Sequence, residues 1–182
     1  MVVSRTYTHK ESKMIYASID PGIDGAIALF EGKELLFVSS LSYQIYGKNK
    51  ILELVTHLND INNILGPTKK VERVIIEQVG AMKGQGVTSM FSFGARFGDA
   101  CSLAHMLTND IDFITPQKWK RLVGLIGQDK KQSAVMAARL YPNSSDSFIQ
   151  KNNRCKDGFK YYDGRGDAVM LGLAANKMGM VK

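Results

Sequence analysis

The amino-acid sequence predicts an α/β fold with a five-stranded mixed sheet and helices on both of its faces. Three short runs of strand-forming residues come first, and the tight turns between them make neighbouring strands antiparallel. Helical and strand patterns then alternate, which is typical of parallel strands joined by crossover helices. At 182 residues the chain is long enough to bury a sizeable core.

The first half of the chain is predicted to supply four strands and one helix. The strands are expected at 14–19, 26–30, 35–39 and 71–76, with a hairpin turn at 31–34. Apolar residues close to a 3.6-residue period predict an amphipathic helix from Lys50 to Leu65. The nearly continuous apolar run of 71–76 favours an interior strand that is covered on both faces.

The second half is predicted to be mainly helical, with one further strand. Helices are expected at 87–107, 116–123, from 128 or 129 to 141, and from about 163 to 178, and the strand at 111–114. The segment 142–162 is polar, aromatic and basic, with a turn signal at Asp157-Gly158. We expect one domain over 14–182, preceded by a disordered arm over 1–13. This order of elements is that of the ribonuclease H-like fold.

The charge of the chain favours a polyanionic partner. Lys and Arg number 24 against 17 Asp and Glu, which gives a formal net charge of +7. The alternative is a basic protein with no nucleic-acid role. Two cysteines, Cys101 and Cys155, give no disulfide framework, and no apolar run reaches the roughly 20 residues of a membrane span. We therefore expect a cytoplasmic protein, with an organellar setting as the alternative.

Four carboxylates lie where they could share bound cations. Asp20 and Glu77 end apolar strands, and Asp163 and Asp167 lie at the start of the last helix. Buried acids are costly unless a positive charge binds them, and hard cations favour oxygen ligands. The pattern predicts a pair of Mg²⁺ ions, with Mn²⁺ as the alternative. Each acid also has an ordinary explanation: a turn aspartate, a strand-end acid paired with a lysine, or a residue at a helix N-terminus.

Four motifs, taken in order, resemble the RuvC family of Holliday junction resolvases. They are Ile19-Asp20-Pro21-Gly22, Ile76-Glu77-Gln78-Val79, the stretch 114–120 (ITPQKWK) and the stretch 163–168 (DGRGDA). The last of them is most similar to the phage-type members. The resemblance covers almost the whole chain, from about residue 14 to about residue 178.

The resemblance implies a homodimeric, Mg²⁺-dependent endonuclease that places symmetrical nicks in a four-way DNA junction. It implies that Asp20 bridges two metal ions and that Glu77 and Asp167 complete their coordination. The family pairs the last acid with a second one that is commonly three residues away, whereas Asp163 is four residues from Asp167. Both spacings lie on one helical face, but Gly164 and Gly166 disfavour a helix there, so Asp163 would act from the helix, from a loop, or as a helix cap. Lys120 and Lys130 match lysines near the scissile phosphate.

Further basic residues are expected to contact DNA, and a long helix to form the dimer interface. Arg165, between the two last acids, could orient them or contact a phosphate with two donors. The helix 87–107 carries a second apolar face, which either packs against a second copy of the chain or is buried in its own monomer. The predicted DNA-binding residues are Lys83, Arg96, Lys118, Lys120, Arg121, Lys131 and Arg165.

Three other functions compete with a junction resolvase. One is another ribonuclease H-like nuclease, which would act on branched DNA or RNA–DNA hybrid. The second is a non-catalytic junction-binding protein, against which the presence of all four acids argues. The third is a nucleotide-binding phosphotransferase, but the chain has no glycine-rich loop that could cradle a phosphate, so no small-molecule cofactor is expected.

Overall fold

The structure is a computed structural model that describes residues 13–80, 84 and 86–181. The predicted arm 1–13 therefore lies almost entirely outside the described residues. The strands are β1 (Ile15–Asp20), β2 (Ala26–Glu31), β3 (Glu34–Ser40), β4 (Tyr43–Tyr46), β5 (Asn49–Leu52), β6 (Arg73–Glu77), β7 (Ile111–Ile114), β8 (Ile149–Lys151) and β9 (Phe159–Tyr161). The helices are α1 (Leu54–Leu65), α2 (Val87–Leu107), α3 (Pro116–Val123), α4 (Gln132–Leu140) and α5 (Asp163–Lys177).

The main sheet has five strands in the order β3-β2-β1-β6-β7. The pairs β1–β2 and β2–β3 are antiparallel, and the pairs β1–β6 and β6–β7 are parallel. The predicted five-stranded mixed sheet is therefore confirmed. Side chains of β1 and β6 are buried on both faces, as expected for interior strands.

Helices cover both faces of this sheet. On one face, Tyr16, Phe30 and Ile75 pack against α3, α4 and α5. On the other face, Ile19 and Ile76 pack against α1 and α2. Side chains alternate between the two faces along a strand. A polar residue that follows Ile19 or Ile76 on its strand therefore points to the face covered by α3, α4 and α5. No helix among the described residues is both long and apolar enough to cross a membrane.

The predicted helix from Lys50 to Leu65 is wrong in its first turn. The helix begins at Leu54, and residues 49–52 form β5, which pairs with β4 through a turn at Gly47. Ile51 matched the helical period but lies half-exposed on this small hairpin. The helix expected from 128 or 129 begins instead at Gln132, because the Asp129 carboxylate accepts the Lys131 N–H and forms a turn first.

The polar segment 142–162 folds into a short 3-10 helix over Pro142–Ser147 and the hairpin β8–β9. The predicted turn at Asp157-Gly158 is confirmed, and Gly158 adopts the positive φ of 77° that favours glycine. An ion pair of 3.8 Å between Lys131 and Asp157 links this hairpin to the start of α4. The segment 142–162 therefore packs next to α4, on the face of the main sheet that α4 and α5 cover.

Helix α5 begins at Asp163 even though two glycines lie in its first turn. A Cβ atom at Gly164 would overlap the carbonyl oxygen of Asp24, and one at Gly166 would overlap the backbone of Ala134. The glycines thus let α5 press against the β1–β2 loop and against α4. Asp163 is a helical residue rather than a loop residue or side-chain cap, since no side chain caps this helix.

Candidate active site

Asp20 and Glu77 lie side by side at the carboxyl ends of two parallel strands. Ile19 pairs with Ile76 in the β1–β6 register, so the next residue on each strand is one of the two acids. Ile19 and Ile76 point toward α1 and α2, so both acids point to the opposite face, where α5 lies. They are only 8% and 9% exposed.

The start of α5 brings the other two acids to the same place. Asp163 and Asp167 are separated by one helical turn and therefore lie on one face of α5. Together with Asp20 they line a cleft of about 530 Å³. Lys120 of α3 also lines this cleft, and its Nζ lies 3.6 Å from the Asp167 carboxylate.

Burial and mutual repulsion disfavour ionised carboxylates in this cluster. Burial, and then the charges of Glu77 and Asp167, raise the pKa of Asp20 to about 8. Burial also raises the pKa of Glu77, while the Trp119 indole and Lys120 lower it. For Asp167, burial raises the pKa, which Lys120 partly offsets. One lysine therefore does not balance the negative charge that these acids would carry at neutral pH.

The donor chemistry of this cluster fits divalent cations. Within residues 13–80, 84 and 86–181, no group of three or more acidic, His or Cys side chains already stands in the arrangement of a metal-ligand set. The oxygen atoms, the low exposure of Asp20 and Glu77 and the unbalanced charge are nevertheless what a hard cation such as Mg²⁺ requires. The four acids that the sequence singled out as metal ligands therefore remain predicted ligands.

The β1–β2 loop holds Asp20 in a fixed orientation. The Gly22 N–H donates to Asp20 Oδ1 at 2.9 Å, and the Gly25 N–H donates to the Gly22 carbonyl at 3.0 Å. A Cβ atom at Gly25 would lie 2.5 Å from the Asp20 carbonyl oxygen, so the loop closes tightly only with glycine there. The turn residues that follow Asp20 in the sequence thus serve to position its carboxylate.

Trp119 holds Glu77, a role that sequence reasoning missed. The indole is fully buried, as expected for a core residue, but its Nε1–H donates to Glu77 Oε1 at 2.8 Å. Lys120 Nζ lies 5.0 Å from the centroid of the same ring. A buried indole N–H needs a hydrogen-bond partner, and this requirement was the available signal in the sequence.

The predicted DNA-binding residues occupy different surroundings. Lys120 and Lys130 line the cleft, whereas Lys118 and Arg121 are exposed on α3. Lys131 is paired with Asp157 and lies over the Tyr161 ring. Lys83 lies outside the described residues.

Two predicted DNA-binding arginines have partners within the chain. Arg96 donates to the Ile23 carbonyl oxygen at 3.0 Å and lies 5.0 Å from the Tyr43 ring centroid. Arg165 donates to Ser40 and to the Ser147 carbonyl oxygen, and it forms no ion pair with a described acid. Its side chain therefore does not hold the two acids that flank it in the sequence, and its contact with DNA stays a prediction.

Comparison with known proteins identifies the fold. No protein-family model matches the chain, and no curated protein sequence matches it. The solved structure of T. thermophilus RuvC in complex with Holliday junction substrate matches 93% of this chain and 99% of that chain, with a TM-score of 0.55 and 15% identity. A second Thermus thermophilus RuvC structure covers the same shares at 14% identity and a TM-score of 0.48. The predicted ribonuclease H-like fold, shared with RuvC, is confirmed by the first match.

Proposed function

We propose that this protein is an endonuclease that cuts four-way DNA junctions with the help of divalent cations. The observation that carries the proposal is that Asp20, Asp163 and Asp167 line one cleft, with Glu77 beside Asp20 at the end of the neighbouring strand. The basic charge of the chain supports a DNA substrate. That the fold neighbour RuvC was solved with a Holliday junction supports a junction as the preferred form of DNA.

In the proposed mechanism the protein holds the carboxylates still while a phosphodiester is hydrolysed. Bound divalent cations would activate the attacking water and offset charge on the phosphate and the leaving oxygen. Gly22 fixes one oxygen of Asp20, and Trp119 fixes one oxygen of Glu77. The second oxygen of each carboxylate then remains available to a cation, so little rearrangement is needed when one binds.

Two lysines are proposed to contact the phosphate. Lys120 Nζ lies 3.6 Å from Asp167 at the edge of the carboxylate cluster, and Lys130 lines the same cleft without an ion pair among the described residues. Each can stabilise negative charge that develops on the scissile phosphate. Lys118 and Arg121, exposed on the α3 surface, are proposed to bind the DNA backbone farther from the cut.

We also propose that the protein works as a homodimer through α2. Val87 and Phe91, one turn apart on this helix, are both 79% exposed, which is costly for large apolar side chains. Pairing α2 with its copy would bury them and would supply two cleavage sites for two equivalent DNA strands. Phe91→Glu should convert the dimer to monomer in sedimentation, whereas Val55→Glu, at a similarly exposed position on α1, should not.

The deciding experiment compares the native protein with Asp20→Asn on a labelled four-way DNA junction in Mg²⁺ or Mn²⁺. Paired symmetrical nicks that disappear in the variant, while junction binding is retained, are the expected result. An RNA–DNA hybrid and a linear duplex serve as substrate controls. Cleavage of the hybrid in preference to the junction would favour the other ribonuclease H-like nuclease. Binding without cleavage in either protein would favour a non-catalytic junction-binding protein.

A further inference from the structure

A second cleft lies beside the candidate active site, on the other side of the β1–β2 loop. It has a volume of about 270 Å³ and shares Ile23, Asp24, Asp163 and Gly164 with the first cleft. The wall between the two clefts is thin, because Gly164 packs directly against the Asp24 backbone. The two clefts are therefore direct neighbours.

The far wall of the second cleft is cationic and aromatic. It contains Lys160 and Tyr162 at the end of the β8–β9 hairpin and Arg165 in the first turn of α5. Lys160 Nζ lies 4.5 Å and Arg165 Cζ 4.3 Å from the centroid of the Tyr162 ring. The Tyr162 hydroxyl donates to Gln150 Oε1 at 2.9 Å, which anchors the ring to the opposite strand of the hairpin. One tyrosine ring thus contacts both positively charged side chains.

Arg165 is held in place without an acidic partner. Its Nε donates to Ser40 Oγ at 2.9 Å and its Nη1 donates to the Ser147 carbonyl oxygen at 3.0 Å. Both acceptors are neutral, and no ion pair among the described residues involves this guanidinium. By contrast, Arg73 pairs with Asp110 at 2.8 Å. A half-buried guanidinium with neutral acceptors keeps its charge and its remaining donors for an external anion.

We propose that this second cleft binds the backbone phosphate of a nucleotide that neighbours the scissile one on the same DNA strand. Arg165 and Lys160, which both line this cleft, would bind the phosphate, and Tyr162 would position their side chains through its ring. The inference rests on the proposed function for the identity of the strand, and it adds a specific contact that sets how the strand lies across the carboxylates. Asp24 and Asp163, on the shared wall, keep the phosphate on the far side of the cleft by repulsion.

The test uses binding of a labelled four-way junction in EDTA by the full chain and by Lys160→Gln, Arg165→Gln and Lys151→Gln. Lys151 is a matched control, since it is exposed on the same hairpin but lines neither cleft. Loss of one phosphate contact should weaken binding about 3–10-fold and reduce the salt dependence by about one counterion in Lys160→Gln and in Arg165→Gln. Lys151→Gln should weaken junction binding less than either of these two variants does.

Junctions with a single uncharged methylphosphonate locate the contact. Native protein should lose affinity when one particular phosphate near the cut is neutralised, and Lys160→Gln should lose nothing more at that phosphate. Additive losses at every position would overturn the proposal. Arg165→Gln also loses its hydrogen bonds to Ser40 and Ser147, so its thermal unfolding is measured as a control. If this variant is destabilised, the result for Lys160→Gln, at an exposed position, decides the test.

Cleavage in Mg²⁺ is scored separately, so the two ideas fail in different ways. If Lys160→Gln loses nothing more at the one sensitive phosphate but the native protein does not cut the junction, the proposed activity is wrong and the phosphate site stands. If the junction is cut normally but the affinity losses of Lys160→Gln and of the methylphosphonates add at every position, the phosphate site is wrong and the activity stands. Equal competition by inorganic phosphate against native protein and against Lys160→Gln would also overturn the proposal, because it would place the anion elsewhere.

Discussion

Replacing Asp20 by asparagine should make the protein more stable when no divalent cation is present. Asp20 is 8% exposed, and burial together with Glu77 and Asp167 raises its pKa from the ordinary 3.8 to about 8. Between these two values the folded protein binds the Asp20 proton more tightly than the unfolded chain does. The free energy of unfolding therefore falls as the pH rises from about 4 to about 8.

The size of the effect follows from the same pKa. A tenfold change in proton affinity corresponds to about 1.4 kcal/mol, so keeping Asp20 protonated in the folded protein, while the unfolded chain ionises, costs about 1.5 kcal/mol of stability at pH 5 and about 4 kcal/mol at pH 7. Water entering the cleft reduces these figures, and we expect about 2–4 kcal/mol at pH 7. Asparagine has no such cost and can still accept the Gly22 N–H through its side-chain oxygen.

The assay is urea unfolding of native protein and Asp20→Asn in EDTA at pH 5 and pH 7, repeated with Mg²⁺. The variant should be the more stable protein in EDTA, by a margin that grows with pH, and Mg²⁺ should stabilise only the native protein. Asp146→Asn, at an exposed position outside the cleft, should leave stability unchanged at both values of pH. A variant that is no more stable at pH 7, or a margin independent of pH, would refute the reasoning.

Three further outcomes are expected from single substitutions. Trp119→Phe keeps the ring but removes the donor to Glu77, and it should weaken Mg²⁺ binding about 10-fold or more, measured by calorimetry. Gly166→Ala places a methyl group into the backbone of α4 and should lower the free energy of unfolding by about 1–3 kcal/mol or more in urea. Burial lowers the pKa of His57, whose Nε2 accepts the Ser42 N–H, so its contribution to stability is present above pH 6.5 and is lost as the pH falls below that value. The difference in free energy of unfolding between native protein and His57→Gln, measured in urea, should therefore be smaller at pH 5 than at pH 7, because the Asp20 effect is the same in both proteins.

The main sheet and most of its helices could be predicted because their sequence patterns are local. Apolar runs that end in Asp20 and Glu77 predicted two strands, and the actual register brings those ends together. The β4–β5 hairpin could not be predicted, because its apolar residues fall at helical spacing and several of them are exposed. The sequence pattern around Ile51 is ambiguous, and only the pairing with β4 determines the strand.

The candidate site was predictable in its acids and not in the groups that hold them. The bond from Trp119 to Glu77 joins α3 to β6, and no periodicity indicates a contact between residues so far apart in sequence. Gly164 and Gly166, beside Asp163, disfavour a helix by their intrinsic propensity. Close packing against the Asp24 backbone and against α4 outweighs that preference.

The close fit of α5 also bears on how the protein is made. Asp20 belongs to the first strand of the sheet, whereas Asp163 and Asp167 belong to the last helix of the described chain. A chain that emerges from the ribosome can form β1–β3 early, but the two halves of the acid cluster cannot meet until α5 has been synthesised and has docked. A nascent or truncated chain without α5 would therefore display only half of the cluster. Under the proposed function, such a chain would be inactive until the last helix has docked.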